Sequence, residues 1–204
     1  DWALGVVTGD NSKYLSETPE SDYEPILTGK DLKRFTAEAA KKFIRFEPEK
    51  FQQVAPINKY RAPEKLIYKF ISSELVFVYD DKQTLSLNSA NILIPALPGF
   101  PVKSVLACLN SSLFQLIFQK KFSAFKVLRG DLEKLPFPVL SASLHERIVS
   151  FVDVLLNAHA SNDCKREAFL ALDDCVMDIF HLSHIQKNYV RANVKMSAKL
   201  QSFH

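Results

Sequence analysis

The stretch 105–138, VLACLNSSLFQLIFQKKFSAFKVLRGDLEKLPFP, constrains the fold more than any other part of the chain. In its first half Leu106, Leu109, Leu113, Leu116 and Ile117 recur at three- and four-residue spacing. That period gives one continuous apolar face, which must be buried, so a helix over 102–122 is predicted. The middle is basic and aromatic, with Lys120, Lys121, Phe122, Phe125, Lys126 and Arg129. Gly130 interrupts it, Asp131 can cap a short turn, and Pro136 and Pro138 bar helix beyond Leu135. A buried helix thus runs into a cationic loop with a rigid exit.

On either side of this stretch the hydrophobic period changes. Residues 1–27 are turn-rich, with Thr8-Gly9-Asp10-Asn11 as a turn and a short strand expected at 4–8. A helical turn over 30–34 would put Lys30, Lys33 and Arg34 on one side. Alternation over 41–51 predicts a strand ended by Pro48. In the 64–80 block Leu66, Ile67, Phe70 and Ile71 also fit a helical stripe. Ile, Tyr, Phe and Val dominate LIYKFIS and LVFVYD, however, so a strand pair is preferred, with a further strand over 85–94.

ALPGFP at 96–101 reads as a loop. Two amphipathic helices are predicted beyond it. One spans 143–160, with Leu144, Ile148, Phe151, Val152, Leu155 and Leu156 inward and His145 off that face. The other spans 163–182, with Phe169, Leu172, Val176, Ile179 and Phe180 inward and Asn162 or Asp163 as cap. A third, shorter helix fits 183–191, and the last dozen residues are expected to fray. The fold class is α+β: a twisted, mostly antiparallel sheet lobe with packed helices over 1–138, then a helical stalk over 139–204.

With 204 residues, 47% of them hydrophobic, the chain can bury a core without metal or disulfide staples. No run approaches the roughly 20 apolar residues that span a bilayer, and there is no signal-sequence pattern, so no membrane partner is expected. The three cysteines are odd in number and far apart, with no C-x-x-C or zinc spacing, which fits a reduced cytoplasmic protein. The chain opens at Asp1-Trp2 and reads as a piece of a longer protein.

A net charge of +3 says little, but its distribution says more. Residues 1–27 carry one Lys against six acids, whereas 28–70 carry eleven Lys or Arg against five. Residues 119–134 add five against two. Positive charge is therefore concentrated in two blocks.

Catalytic chemistry is not legible. A methyltransferase using S-adenosylmethionine needs a glycine-rich loop after a strand and an Asn/Asp-Pro-Pro-aromatic motif beside its base. Here the five glycines never form G-x-G and no two of the ten prolines adjoin. Asp80-Asp81-Lys82 has the residue types of a nuclease cluster but reads as a turn between strands. His181 and His184 could share a helix side, yet nothing completes a metal ligand set. No catalytic residue, cofactor or metal is assigned to the chain.

DNA recognition has better support, since it needs cations for phosphates and polar side chains for base edges. Phosphate candidates are Lys30, Lys33, Arg34, Arg61, Lys65 and Lys69, with Lys120, Lys121, Lys126 and Arg129. Base-edge candidates are Arg61, Arg129, Asn58, Gln83 and Asn88. This reading requires the two basic blocks to face a common groove.

The run LNSSL, followed about twenty residues later by LRGDLEKLPFP, resembles the TaqI-like C-terminal specificity domain of bacterial N6-adenine DNA methyltransferases and restriction–modification enzymes. GVVTGDN at 5–11, EPILTGKDLKRF at 24–35 and LIYKFIS…FVYDD at 66–81 agree with it in order. HERIVSFVDVLL at 145–156 is similar to the helix that follows the same signature in type I specificity subunits. The resemblance implies a non-catalytic target-recognition domain that binds double-stranded DNA. Its partner would be a methyltransferase domain of the same parent chain, which would carry S-adenosylmethionine. The alternatives are a helical protein-interaction module or a piece of a type I-like specificity subunit.

Overall fold

Eight short strands, two short α-helices and a 3-10 turn precede residue 97 and all belong to one compact unit, 1–71 with 77–96; residues 72–76 join the chain from 97 onward in a second. The computed structural model describes residues 1–122 and 125–195. In the first unit lie β1 (Trp2–Ala3), α1 (Asn11–Tyr14), β2 (Leu15–Ser16), β3 (Glu24–Leu27), β4 (Lys42–Ile44) and α2 (Ile57–Tyr60). They are followed by β5 (Lys65–Lys69), β6 (Phe77–Asp80), β7 (Leu85–Ser86) and β8 (Ala90–Leu93).

The strands make two sheets, ordered β1-β8-β5-β6 and β2-β4-β3-β7. All pairs are antiparallel except β3 with β7. Ala3, Val6, Ile26, Ile44, Tyr60, Leu85, Leu87 and Ile92 form a shared core. Tyr60 stays satisfied there, donating to the Leu4 carbonyl at 3.0 Å and accepting from the Ala55 N–H at 2.9 Å. The strand pair expected from 64–80 is present, with Leu66 opposite Tyr79 and Tyr68 opposite Phe77.

Other expectations for this unit shift. The single strand over 85–94 is two strands in different sheets, because Asn88 and Ser89 turn the chain between them. The strand placed at 4–8 lies earlier, at β1, while Val6 and Val7 make isolated bridges to Leu87 and Gln53. The strand over 41–51 shortens to β4, and Pro48 opens a 3-10 turn. Residues 30–34 form no helix. Thr28 and Asp31 close the loop, Leu32 bridges Ala37, and Phe35 adopts a φ of 75° between backbone bonds to Phe77 and Tyr79.

The second unit holds α3 (Val102–Asn110), α4 (Ser112–Lys121), α5 (Arg129–Leu132), α6 (Ala142–Leu156), α7 (Asn162–Ile179) and α8 (His184–Asn193). The helix expected over 102–122 is broken at Ser111, which is extended at ψ 155°. Its hydroxyl donates to the Cys108 carbonyl at 2.8 Å and accepts from the Phe114 N–H at 3.3 Å, so a serine competes with the helix ladder and then caps the next helix. Ser161, one residue earlier than expected, caps α7. His145 is buried, not outward, bonding Ser104 at 3.0 Å under the ring of Phe100.

α3 packs on α6, and α4 on α7 and α8, so the stretch 102–121 shares a unit with the C-terminal helices. The two compact units divide near 97, with 72–76 in the second. Leu113, Leu116, Met177 and Val190 form a small core. Lys187 and Arg191 fasten α8 to α7 through Asp174 and Asp178, at 2.7 to 3.2 Å. Two glutamines one turn apart on α4 grip backbone in both directions. Gln115 bonds the N–H and carbonyl of Leu75, and Gln119 those of Lys195. The fraying expected for the last dozen residues falls mainly on 196–204, outside the described residues.

Candidate nucleic-acid interface

In the first unit, the turn at 87–90 holds exposed Asn88 between buried Leu87 and Ala90. The Ala90 N–H donates to the Leu87 carbonyl at 2.7 Å, the Asn88 N–H to Val6 at 3.0 Å, and the Phe70 N–H to Ser89 at 3.0 Å. Two glycines press on it. A Cβ on Gly5 would stand 2.2 Å from the Leu87 carbonyl oxygen, and one on Gly29 would stand 2.7 Å from that of Ser89. Both approaches are open only to glycine. Gly29 also donates its N–H to the Ser89 hydroxyl at 3.0 Å and abuts the stem of Lys69. Lys69 pairs with Ala90 at the end of this turn, Lys30 follows Gly29 in the chain, and Lys30 and Asn88 are exposed.

The remaining candidates of this unit divide. Asn58 is exposed on α2, and Gln83 is exposed with φ 57°. Lys33 is half-exposed and paired to Glu38 at 2.7 Å. Arg61 is tied to Glu24 at 2.6 Å and to the Gln83 carbonyl at 2.9 Å, with its guanidinium over Phe46, so it braces the fold.

Arg34 and Lys65 are corrections. They are 1% and 0% exposed, respectively, and neither can reach a phosphate. Arg34 turns inward because Phe35 reverses the loop. Lys65 lies in β5, whose residues are covered on both faces, and pairs with the carboxylate of buried Asp80. Burial pushes the Lys65 ammonium down from its ordinary value, with Asp80 opposing. Asp80 also accepts from the Thr84 N–H and hydroxyl, so it is a strand-end anchor rather than part of a simple hairpin turn.

In the second unit Lys120, Lys121, Lys126 and Arg129 are all exposed. Lys121 donates to the Lys134 carbonyl at 3.2 Å, and Arg129 pairs with Glu133 at 2.7 Å along α5. Val127, Leu132 and Leu135 are buried and pin this segment down. The two basic blocks thus belong to different compact units.

Sequence reasoning missed Ser89 and Gly29, which shape the Asn88 turn. An Asn-Ser pair between two short apolar runs was the available signal. Cys108 and Cys175 are buried, and burial plus the neighbouring Cys175 sulfur pushes the Cys108 thiol up to about 12, so it packs as a neutral group. Among the described residues no group of three or more His, Cys, Asp or Glu could hold a metal ion. No described helix is long and apolar enough to cross a membrane.

Comparison with known proteins agrees with this architecture. The solved structure of the Type IIL restriction-modification enzyme MmeI in complex with DNA is similar over 95% of this chain, with a TM-score of 0.62 and 9% identity. The chain spans 34% of that enzyme's length. No curated protein sequence matches. Residues 24–137 match the TaqI-like C-terminal specificity domain, a span that covers β3 to β8, α2 to α5 and Pro136. More than half of the chain lies within that match, and the chain belongs to the TaqI-like C-terminal specificity domain family.

Proposed function

We propose that this chain recognises duplex DNA on behalf of a catalytic domain elsewhere in a longer restriction–modification protein. That protein would be an adenine-N6 methyltransferase of the bacterial cytoplasm. Extrusion of a base requires one part to grip the duplex while another accepts the flipped base. S-adenosylmethionine and the chemistry belong to the second part.

One observation carries the reading: the glycine-clamped turn that exposes Asn88, with Lys69 paired to its last residue and Lys30 following the clamping Gly29. A side-chain amide can pair with both Hoogsteen groups of adenine, and flanking cations fix register on phosphates. Held by backbone bonds at four positions, the turn offers that amide from a rigid support. In the second unit, taken by itself, the exposed Lys120, Lys121, Lys126 and Arg129 are phosphate candidates.

The test is fluorescence anisotropy of a labelled duplex titrated with the chain over a range of salt. The logarithm of the binding constant should fall linearly with the logarithm of salt. Lys30→Gln and Lys126→Gln should each flatten that line by about one unit of slope. Absence of binding at low salt, or affinity indifferent to salt, overturns the reading.

A second role is favoured by α8. Ile185 and Tyr189, one helical turn apart, are 80% and 57% exposed, as expected of a face that packs on another protein segment. This fits the interaction-module alternative for the C-terminal helices and is compatible with DNA recognition by the rest.

A further inference from the structure

Among the described phenylalanines, Phe125 stands apart: it is 85% exposed, while the others are buried or half-buried. Its neighbours explain why it stays outside. Val127 is fully buried, and Leu132 and Leu135 follow it inward, so the segment is anchored by those three side chains. Lys126, Leu128 and Arg129 are exposed with Phe125, giving two apolar side chains interleaved with two cations. Lys120 and Lys121 add positive charge from the end of α4.

A scattered apolar residue needs no explanation, but a ring presented on a pinned cationic segment has a specific chemical match. Cations draw in a polyanion, and the aromatic face stacks on whatever planar apolar surface that polyanion offers. Duplex DNA is such a partner: its phosphates face the lysines, and its base steps can admit an apolar wedge. A nucleic acid meets both demands at once, because phosphates and planar bases alternate along it.

We propose that Phe125 inserts into the base stack of bound DNA, unstacking one step while Lys120, Lys121, Lys126 and Arg129 hold the flanking phosphates. This rests on the DNA-recognition reading and adds a named intercalating residue to it. Insertion into an intact stack requires a step to open first, whereas a step already opened by a missing base requires none.

The experiment compares the 204-residue chain on two short duplexes of the same sequence, one intact and one carrying a central abasic site, by anisotropy at fixed salt. The chain should prefer the abasic duplex by about tenfold, the scale of one base–aromatic stacking contact. Phe125→Trp should keep that preference. Phe125→Ala should abolish it while leaving the far-ultraviolet circular dichroism unchanged, as expected for an exposed side chain. Lys126→Glu should weaken binding to both duplexes equally and leave their ratio intact.

Equal affinity of the unaltered chain for both duplexes overturns the wedge and leaves DNA recognition standing. So does a preference that survives in Phe125→Ala. If Phe125→Ala instead dissociates a dimer of the chain, the ring is a contact between copies and the wedge is again overturned. Failure to bind either duplex at low salt overturns both readings.

Discussion

Asp173 accepts the backbone N–H of Ser112 through Oδ1 at 2.7 Å, so a carboxylate in the middle of α7 sits at the first turn of α4. Both residues are fully buried. A negative group at a helix N-terminus meets both an orphan N–H and the positive end of the helix dipole. This bond closes the break that Ser111 makes between α3 and α4. Asp173→Ala should lower unfolding stability by about 2 kcal/mol, whereas Asp173→Asn, which keeps an accepting oxygen, should lose less. Urea unfolding checks this: the midpoint should move and the slope should not.

Lys65 and Asp80 make the opposite case, a buried ion pair whose members depend on each other. Removing only the ammonium leaves a carboxylate sealed in the sheet. Lys65→Met should therefore cost about 3–5 kcal/mol. Adding Asp80→Asn should recover a large part, because the amide oxygen can still accept from Thr84 at 3.0 Å. A double-mutant cycle in urea measures the coupling, and additive losses would show that the pair is not coupled.

Glycine substitutions should separate the turn from the loop. Gly29→Ala drives a methyl to 2.7 Å from the Ser89 carbonyl oxygen and should cost about 1–3 kcal/mol. It should also lower DNA affinity by displacing Asn88. Gly130→Ala meets nothing within 4 Å and lies in α5, so it should be neutral or stabilise by up to about 1 kcal/mol. Thermal unfolding of the two variants side by side is the measurement.

The attachment of α8 should weaken in acid. Burial pushes the Asp174 carboxyl up, but hydrogen bonds from Arg191 and Lys187 more than reverse this and hold it below its ordinary value of 3.8. A lowered carboxylate contributes its full stabilisation above 3.8 and loses it as pH falls through the folded-state value. Amide exchange in α8 should therefore accelerate relative to α6 between pH 5 and pH 3, after correction for intrinsic rates. In Asp174→Asn that pH-dependent difference should shrink.

Legibility in the sequence follows the range of the physics involved. The periodic apolar faces of α6 and α7 and the β-rich 64–80 block were readable because hydrophobic spacing is a local property. Ser111 and the Asn88-Ser89 pair were also local signals, but each was outvoted by the apolar residues around it. Arg34 and Lys65 were read as phosphate contacts because residue type gives charge and not surroundings. Lys65 in particular needs Asp80, 15 positions away, before its burial makes sense. Gly29 is the converse case, a residue with no chemistry of its own whose missing methyl makes room for the Asn88 turn.

The two glutamines of α4 read peptide groups and ignore what those peptides carry. Nothing in either clasp distinguishes one amino acid from another at its far end. At Lys195, which is exposed, substitution can therefore drift freely without loosening the clasp, provided the newcomer keeps its N–H. Proline is the one replacement there that would undo it. At Leu75, buried as it is, the choice of residue is dictated by the apolar surroundings alone.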